Sequence, residues 1–165
     1  MADNTLMVVS AHAGDFVWRA GGAIAAATMR GERAVVVCLS YGERGESASQ
    51  WLAGKGLDEI KAIRRAEAEA AASALGAEIE FLDQGDYPLV ESREAVAQLV
   101  DVYRRVQPSV VLPHPLADPY NGDHPAAARM ALEARVLAQA IGVANADGSF
   151  PTKDEIIGAP SVYFF

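Results

Sequence analysis

The 165-residue sequence has one cysteine, no long apolar run and no surplus of positive charge. A lone Cys38 excludes an intramolecular disulfide framework and reads as cytoplasmic. Set inside Val35–Leu39, it is expected as a small buried hydrophobe, not a reactive thiol. No stretch approaches the roughly 18 apolar residues of a membrane span, and no cationic leader precedes the first apolar run. The net charge is −8, from 14 Lys and Arg against 22 Asp and Glu. The basic residues are scattered, which argues against a nucleic-acid groove, and the acidic surplus bears mainly on solubility. There is no G-x-x-x-x-G-K phosphate loop, and Gly21-Gly22 forms no dinucleotide fingerprint. No repeat or linker divides the chain, so residues 1–165 read as a single α/β domain long enough for a real core.

What is present is an alternation of strand and helix. Leu6–Val9 is a short, continuous apolar run, as expected of a strand covered on both faces, and Ala34–Ser40, Ile79–Leu82 and Val110–Leu112 read as further strands. Helices are expected over about 18–30, from Leu57 to Gly76 with a stripe at Ile60, Ile63, Ala66, Ala70, Ala74 and Leu75, and from Ser92 to Val106. A fourth is expected from Pro125 to about Ile141, with Pro125 as its first residue. The Gly-, Ser- and charge-rich segment 41–56 reads as a long loop. Repeated units of this kind imply a doubly wound, mostly parallel sheet in a three-layer α/β/α sandwich. Residues 144–158 look like an excursion. Ser161–Phe165 then reads as a strand that stops without a cap, as in a chain cut short, with part of the active site expected beyond Phe165.

In such a sheet, loops at the carboxyl ends of the strands converge on one crevice. The first strand ends in Ser10-Ala11-His12-Ala13-Gly14-Asp15, and a later one leads to Asp118-Pro119-Tyr120-Asn121-Gly122-Asp123-His124. Two His and one Asp delivered to one crevice suit a zinc ion with an open coordination position, the catalytic pattern rather than the structural one. Spacing alone leaves an alternative open, in which His12 sits on a turn and Asp15 caps a helix. Asp123 is expected as a helix cap or, second, as a partner that orients a ligand histidine. His114, between two prolines, is expected to be structural. The loop Ser40–Ser47 carries Glu43, Arg44 and Glu46 on the same edge, offering proton-transfer and anion-binding groups or a solvated charged turn.

The segment Ala11–Asp15 resembles the A-H-P-D-D signature of the PIG-L/LmbE-type zinc N-deacetylases. Gly42-Glu43 is similar to that family's G-E turn, and Asn121-Gly122-Asp123-His124 to its H-x-D-H motif. The resemblance covers residues 5 to about 140, in the right order, and implies that His12, Asp15 and His124 ligate Zn2+. Two departures matter. The family's general base falls on Gly14 and its general acid on Asn121, and neither residue can transfer a proton at neutral pH.

Ala13–Arg19, Leu39–Ser47 and Asp86–Leu89 are similar to a branch of the family with that profile, the zinc-dependent 4-oxalomesaconate hydratases of gallate and protocatechuate breakdown. That resemblance implies hydration of a C=C bond conjugated to a keto acid, with a small-molecule polycarboxylate as substrate. Proton transfer would fall to Glu46, ahead of Glu43, while Arg19, Arg44 and Asn121 would bind substrate. An N-deacetylase of an N-acyl sugar or related amide is the second reading, and a non-catalytic metal or small-molecule binding domain the third. No nucleic acid or membrane is expected as a partner, and a homo-oligomer remains open.

Overall fold

A computed structural model describes residues 4–165. Five strands form one parallel sheet in the order β3-β2-β1-β4-β5: β1 (Thr5–Ser10), β2 (Arg33–Cys38), β3 (Glu78–Phe81), β4 (Val110–Pro113) and β5 (Ser161–Val162). The central strand is β1, whose Met7 lies opposite Val35 on one side and Val111 on the other. Side chains alternate across a strand, and the two faces bury separate cores. Met7, Val9, Val35, Val37, Leu39 and Val111 pack with the helices α4 (Arg93–Val106) and α5 (Asp123–Leu137). Leu6, Val8, Ala34, Val36, Cys38 and Leu112 pack with α1 (Gly21–Met29) and α3 (Leu57–Ala74). Both faces are covered, which explains the apolar centres of β1 and β2, whereas the edge strand β3 alternates Glu78 and Glu80 with Ile79 and Phe81. This is the three-layer, doubly wound arrangement expected.

The topology places the site. The chain leaves β1 toward the α1 face and leaves β4 toward the α5 face, so the two connections part on either side of adjacent strands. Such a switch in winding opens a crevice at the carboxyl edge. His12 and Asp15 follow β1, and His124 follows β4.

Local departures from the sequence reading have identifiable causes. A π-helical turn, Phe16–Ala20, precedes α1, so the helical segment starts earlier than residue 18 and changes pitch at Gly21. The long loop contains a short helix, α2 (Ala48–Leu52), with no buried residue and hence no apolar face to announce it. In α3 the buried positions are Ile60, Ala68 and Ala72, whereas Ala66, Ala70 and Ala74 are exposed. Alanine fits either side of a helix, so composition did not mark the face. Helix α5 starts at Asp123, because the Asn121 side-chain oxygen accepts from the Asp123 N–H at 3.0 Å. Pro125 is therefore its third residue, still in the first turn, where its missing N–H has no intrahelical partner to lose. The helix ends at Leu137, short of Ile141. As expected, α4 ends at Val106; Ser92 caps its start, accepting from the Ala95 N–H at 3.0 Å. Strand β5 is paired only over Ser161–Val162, although Tyr163 and Phe165 still donate to Val111 and Pro113 carbonyls at 3.1 and 3.3 Å.

Leu99 on α4 is fully buried in the core beneath the sheet. Leu99→Ala is expected to cost about 2–5 kcal/mol, through lost transfer energy and the cavity left behind. Val136→Ala, at an exposed position on α5, should stay within about 0.5 kcal/mol. Urea unfolding of the two variants checks the contrast; equal losses would mean that α4 does not cover this core.

Candidate metal centre

His12, Asp15 and His124 each turn one ligand atom into a single space, and those atoms lie within 4.8 Å of one another. All three are buried. The main chain makes the first part of this set. Leu39 and Ser40 donate to the carbonyls of Ser10 and Ala11, so the sheet ladder runs into the loop and fixes where His12 emerges. The Asp15 carboxylate makes no helix-capping bond and instead accepts from the His12 N–H at 3.0 Å. The cap alternative for Asp15 is thereby set aside.

Each histidine is oriented by a second carboxylate. His124 Nδ1 lies 2.8 Å from Asp118 Oδ2, and its buried Nε2 has no hydrogen-bond partner among the described residues, standing 3.3 Å from Asp15 Oδ1. His12 Nε2 lies 3.1 Å from Asp123 Oδ2, which leaves its Nδ1 facing Asp15 Oδ2 at 3.2 Å and Glu46 Oε1 at 3.6 Å. A carboxylate on one ring nitrogen fixes the tautomer and frees the other nitrogen to bind a cation. A bare imidazole lone pair turned toward two carboxylate oxygens is electrostatically unfavourable unless a proton or a cation lies between them. The donor set therefore fits a divalent ion held by His12 Nδ1, Asp15 and His124 Nε2.

The electrostatics agree. Burial pulls His12 down, but Asp15, Glu46 and Asp123 outweigh it and push the imidazole up to about 9. Burial opposes ionisation of Asp15, yet the imidazoles of His114, His12 and His124 hold it well below the carboxylate range. A site that holds a proton so firmly on His12 is a site of strong negative potential, and a cation would take that proton's place.

Asp123 is neither the cap nor merely the partner of His12. Its carboxylate also accepts from the N–H groups of Tyr87, at 3.0 Å, and Leu89, at 2.9 Å. Asp86, buried in the same loop, accepts from the N–H groups of Arg44 and Gly45 at 2.9–3.1 Å. The loops after β2, β3 and β4 are thus tied to one another. His114 stands beside the set: its Nε2 accepts from the Ala11 N–H at 3.0 Å, and its ring stacks on His124 at 4.1 Å and 5°. The same Nε2 stands 3.3 Å from Asp15 Oδ2, and burial lowers the His114 pKa.

The remaining expected site residues divide. Glu46 reaches the set, with its side chain 29 % exposed and burial raising its pKa. Glu43 does not: it is buried with its carboxylate turned back on its own loop, accepting from the Tyr41 N–H at 3.1 Å and standing 3.9 Å from Lys61 Nζ. Arg19 stands at the rim, 3.5 Å from Asp118 Oδ2. Arg44 is exposed and makes no ion pair among the described residues. Asn121 caps α5 and donates to the Tyr87 hydroxyl at 3.3 Å, putting both side chains at the mouth of the site. The sequence reading did not single out Arg64 and Tyr87. Tyr87 lay inside a stretch picked out by resemblance, whereas Arg64 had no local signal at all.

Residues 7–135 match the family described as PIG-L: GlcNAc-PI de-N-acetylase. The chain belongs to the PIG-L family. It is 53 % identical over 160 residues to 4-oxalmesaconate hydratase of Pseudomonas putida, a match covering 96 % of this chain and 59 % of that protein. Among solved structures it is similar to GalB, the 4-carboxy-2-hydroxymuconate hydratase of Pseudomonas putida KT2440, with a TM-score of 0.90 and 52 % identity over 98 % of this chain and 65 % of that one. It is also similar to the N,N'-diacetylchitobiose deacetylase of Pyrococcus horikoshii, with a TM-score of 0.75 and 29 % identity over 85 % of this chain and 52 % of that one. The chain thus spans less than two thirds of the length of each of these relatives. No helix among the described residues is long and apolar enough to cross a membrane.

The geometry predicts that Asp118→Asn lowers divalent-metal affinity about 10- to 100-fold, by releasing the His124 ring from its orientation. Competition against a chelating dye measures this; unchanged affinity would contradict the role given to Asp118.

Proposed function

We propose that the chain is the metal-binding and proton-transfer part of a zinc-dependent hydro-lyase that hydrates 4-oxalomesaconate. The observation that carries this reading is the Glu46 carboxylate, 3.6 Å from His12 Nδ1 on the β1 side of the metal set, beside a glycine where the family's deacetylase base would stand. The hydratase relatives support the substrate class. His12, Asp15 and His124 would hold the ion, and a two-nitrogen, one-carboxylate set is a common catalytic zinc environment. When bound, zinc would supply Lewis-acid polarisation of the keto or enol oxygen of the substrate.

The chain's own groups account for the rest. Hydration joins a water oxygen to one alkene carbon and a proton to its neighbour, so a group that moves protons must stand beside the bond. Glu46 is that group. Burial raises its pKa, helped by Asp15, with His12 and Arg64 opposing, so its protonated form lies closer to neutral pH than an ordinary glutamate's. Arg19, beside Asp118, and the exposed Arg44 would meet substrate carboxylates with a planar fork. Asn121, with Tyr87, lines the mouth and orients the substrate. Glu43 is assigned to holding its loop, not to proton transfer. A metabolic role of this kind, with a lone buried cysteine, fits a cytoplasmic protein.

The deacetylase reading lacks both proton-transfer groups, since Gly14 has no side chain and the Asn121 amide cannot release a proton at neutral pH. A purely binding domain would not account for a second carboxylate, that of Glu46, turned to His12 Nδ1 beside the set. Turnover assays of the full-length, zinc-loaded protein against the unsaturated tricarboxylic keto acid and against N-acetylglucosamine derivatives separate the readings. Hydration alone is the expected result.

Two substitutions sharpen it. Glu46→Gln should lower hydration about 10²-fold or more while zinc content stays unchanged, in line with the usual contribution of an acid–base group; near-normal turnover would remove Glu46 from the mechanism. Gly14→Asp should give no amidase activity, because the acid is still missing at Asn121. A clear gain in deacetylation would contradict the hydratase reading.

A further inference from the structure

The Glu46 carboxylate occupies a slot walled by two glycines and one guanidinium. A β-carbon at Gly14 would stand 3.3 Å from Glu46 Oε2 and 3.4 Å from Arg64 Nη2. One at Gly42 would stand 2.8 Å from the same oxygen, and Gly42 also has a φ of +70°, a backbone state that disfavours side chains. Arg64 reaches in from α3. Its Nη2 donates to Glu46 Oε2 at 3.2 Å and its Nε to the Tyr41 carbonyl at 3.3 Å, while Nη1 is held from outside by Glu67 at 2.7 Å. One carboxylate oxygen is therefore pinned, and the other, Oε1, is the one turned to His12.

We propose that Arg64 is a positioning residue for the hydration, acting through Glu46. This rests on the reading of Glu46 as the proton-transfer group. A glutamate side chain has three rotatable bonds, and without a second anchor its carboxylate would sample rotamers in the open slot that two glycines create. The rigid guanidinium fork ties the carboxylate to the backbone of its own loop, so the acid–base oxygen is presented in one place before substrate arrives. Such an ion pair at a partly exposed site contributes little to stability. Its effect is on the position of the reacting proton, and misplacement on the order of 1 Å can cost about 10²-fold in rate. Gly14 supplies the room: a family member with a side chain at that position would crowd both Oε2 and the guanidinium.

The test is a kinetic double-mutant cycle in the full-length, zinc-loaded protein, with crystal structures of wild type and Arg64→Ala. Arg64→Ala should lower kcat about 10- to 100-fold with KM nearly unchanged, and Arg64→Lys should recover part of the loss. Placed on Glu46→Gln, Arg64→Ala should cost nothing further, because the two residues act as a unit. In the Arg64→Ala crystal the Glu46 carboxylate should have left the slot. Losses that multiply in the double variant, or a Glu46 carboxylate that stays in place without Arg64, would overturn the proposal. A wild-type protein that hydrates nothing would instead overturn the hydratase reading, and the crystal comparison would still decide whether Arg64 positions Glu46.

Discussion

The Asp123 carboxylate joins three loops at the site. One oxygen takes the His12 imidazole and the Tyr87 N–H, and the other takes the Leu89 N–H. Asp123 itself opens α5, directly before His124. Hydrogen bonds to a charged group contribute about 1.5–3 kcal/mol each, and breaking one side of a buried set costs more than the bond was worth. The histidine from β1, the tyrosine loop from β3 and the histidine on α5 are therefore one unit around one carboxylate. The sheet brings β1 and β4 side by side; Asp123 sets the angle at which their loops face each other.

Around that hub the charge pattern is strongly polarised. Asp15, Asp118, Asp123 and Glu46 surround two imidazoles, and no arginine or lysine enters the set directly. Arg64 and Arg19 touch it only from outside, through Glu46 and Asp118. A cluster so rich in carboxylates is stable when a cation or protons lie at its centre. The sequence's departures from the deacetylase pattern fit this arrangement. With glycine at position 14, the β1 loop carries no proton-transfer group, and a glutamate from the β2 loop fills the space. On the proposed reading, the metal set and the source of the proton are thereby uncoupled within one fold.

Much of this was legible in the sequence, for physical reasons. Strands buried on both faces read as continuous apolar runs, and Gly31, Gly76 and Pro108 punctuate the helices between them. His12, Asp15 and His124 were visible because the topology of a doubly wound sheet says where strand-end loops converge. Other features lay outside any local pattern. The short helix at Ala48–Leu52 buries nothing, so it has no periodicity. Asp123 looked like a helix cap because Asp at a helix start usually is one; here Asn121 caps the backbone and frees Asp123 for other partners. Glu43 and Glu46 were alike by type, and the structure separates them: Glu43 turns back on its own loop, whereas Glu46 faces His12. Arg64 sits on a helix among other charged residues and meets Glu46 through tertiary structure alone.

The central claim is that the three loops form one divalent-metal site with His12 and His124 as its nitrogen donors. Anomalous diffraction at the zinc edge, from crystals of the zinc-loaded protein, tests it most directly. The account predicts a single strong peak in contact with His12 Nδ1, an Asp15 carboxylate oxygen and His124 Nε2. Stoichiometric zinc with its peak elsewhere on the molecule would contradict it.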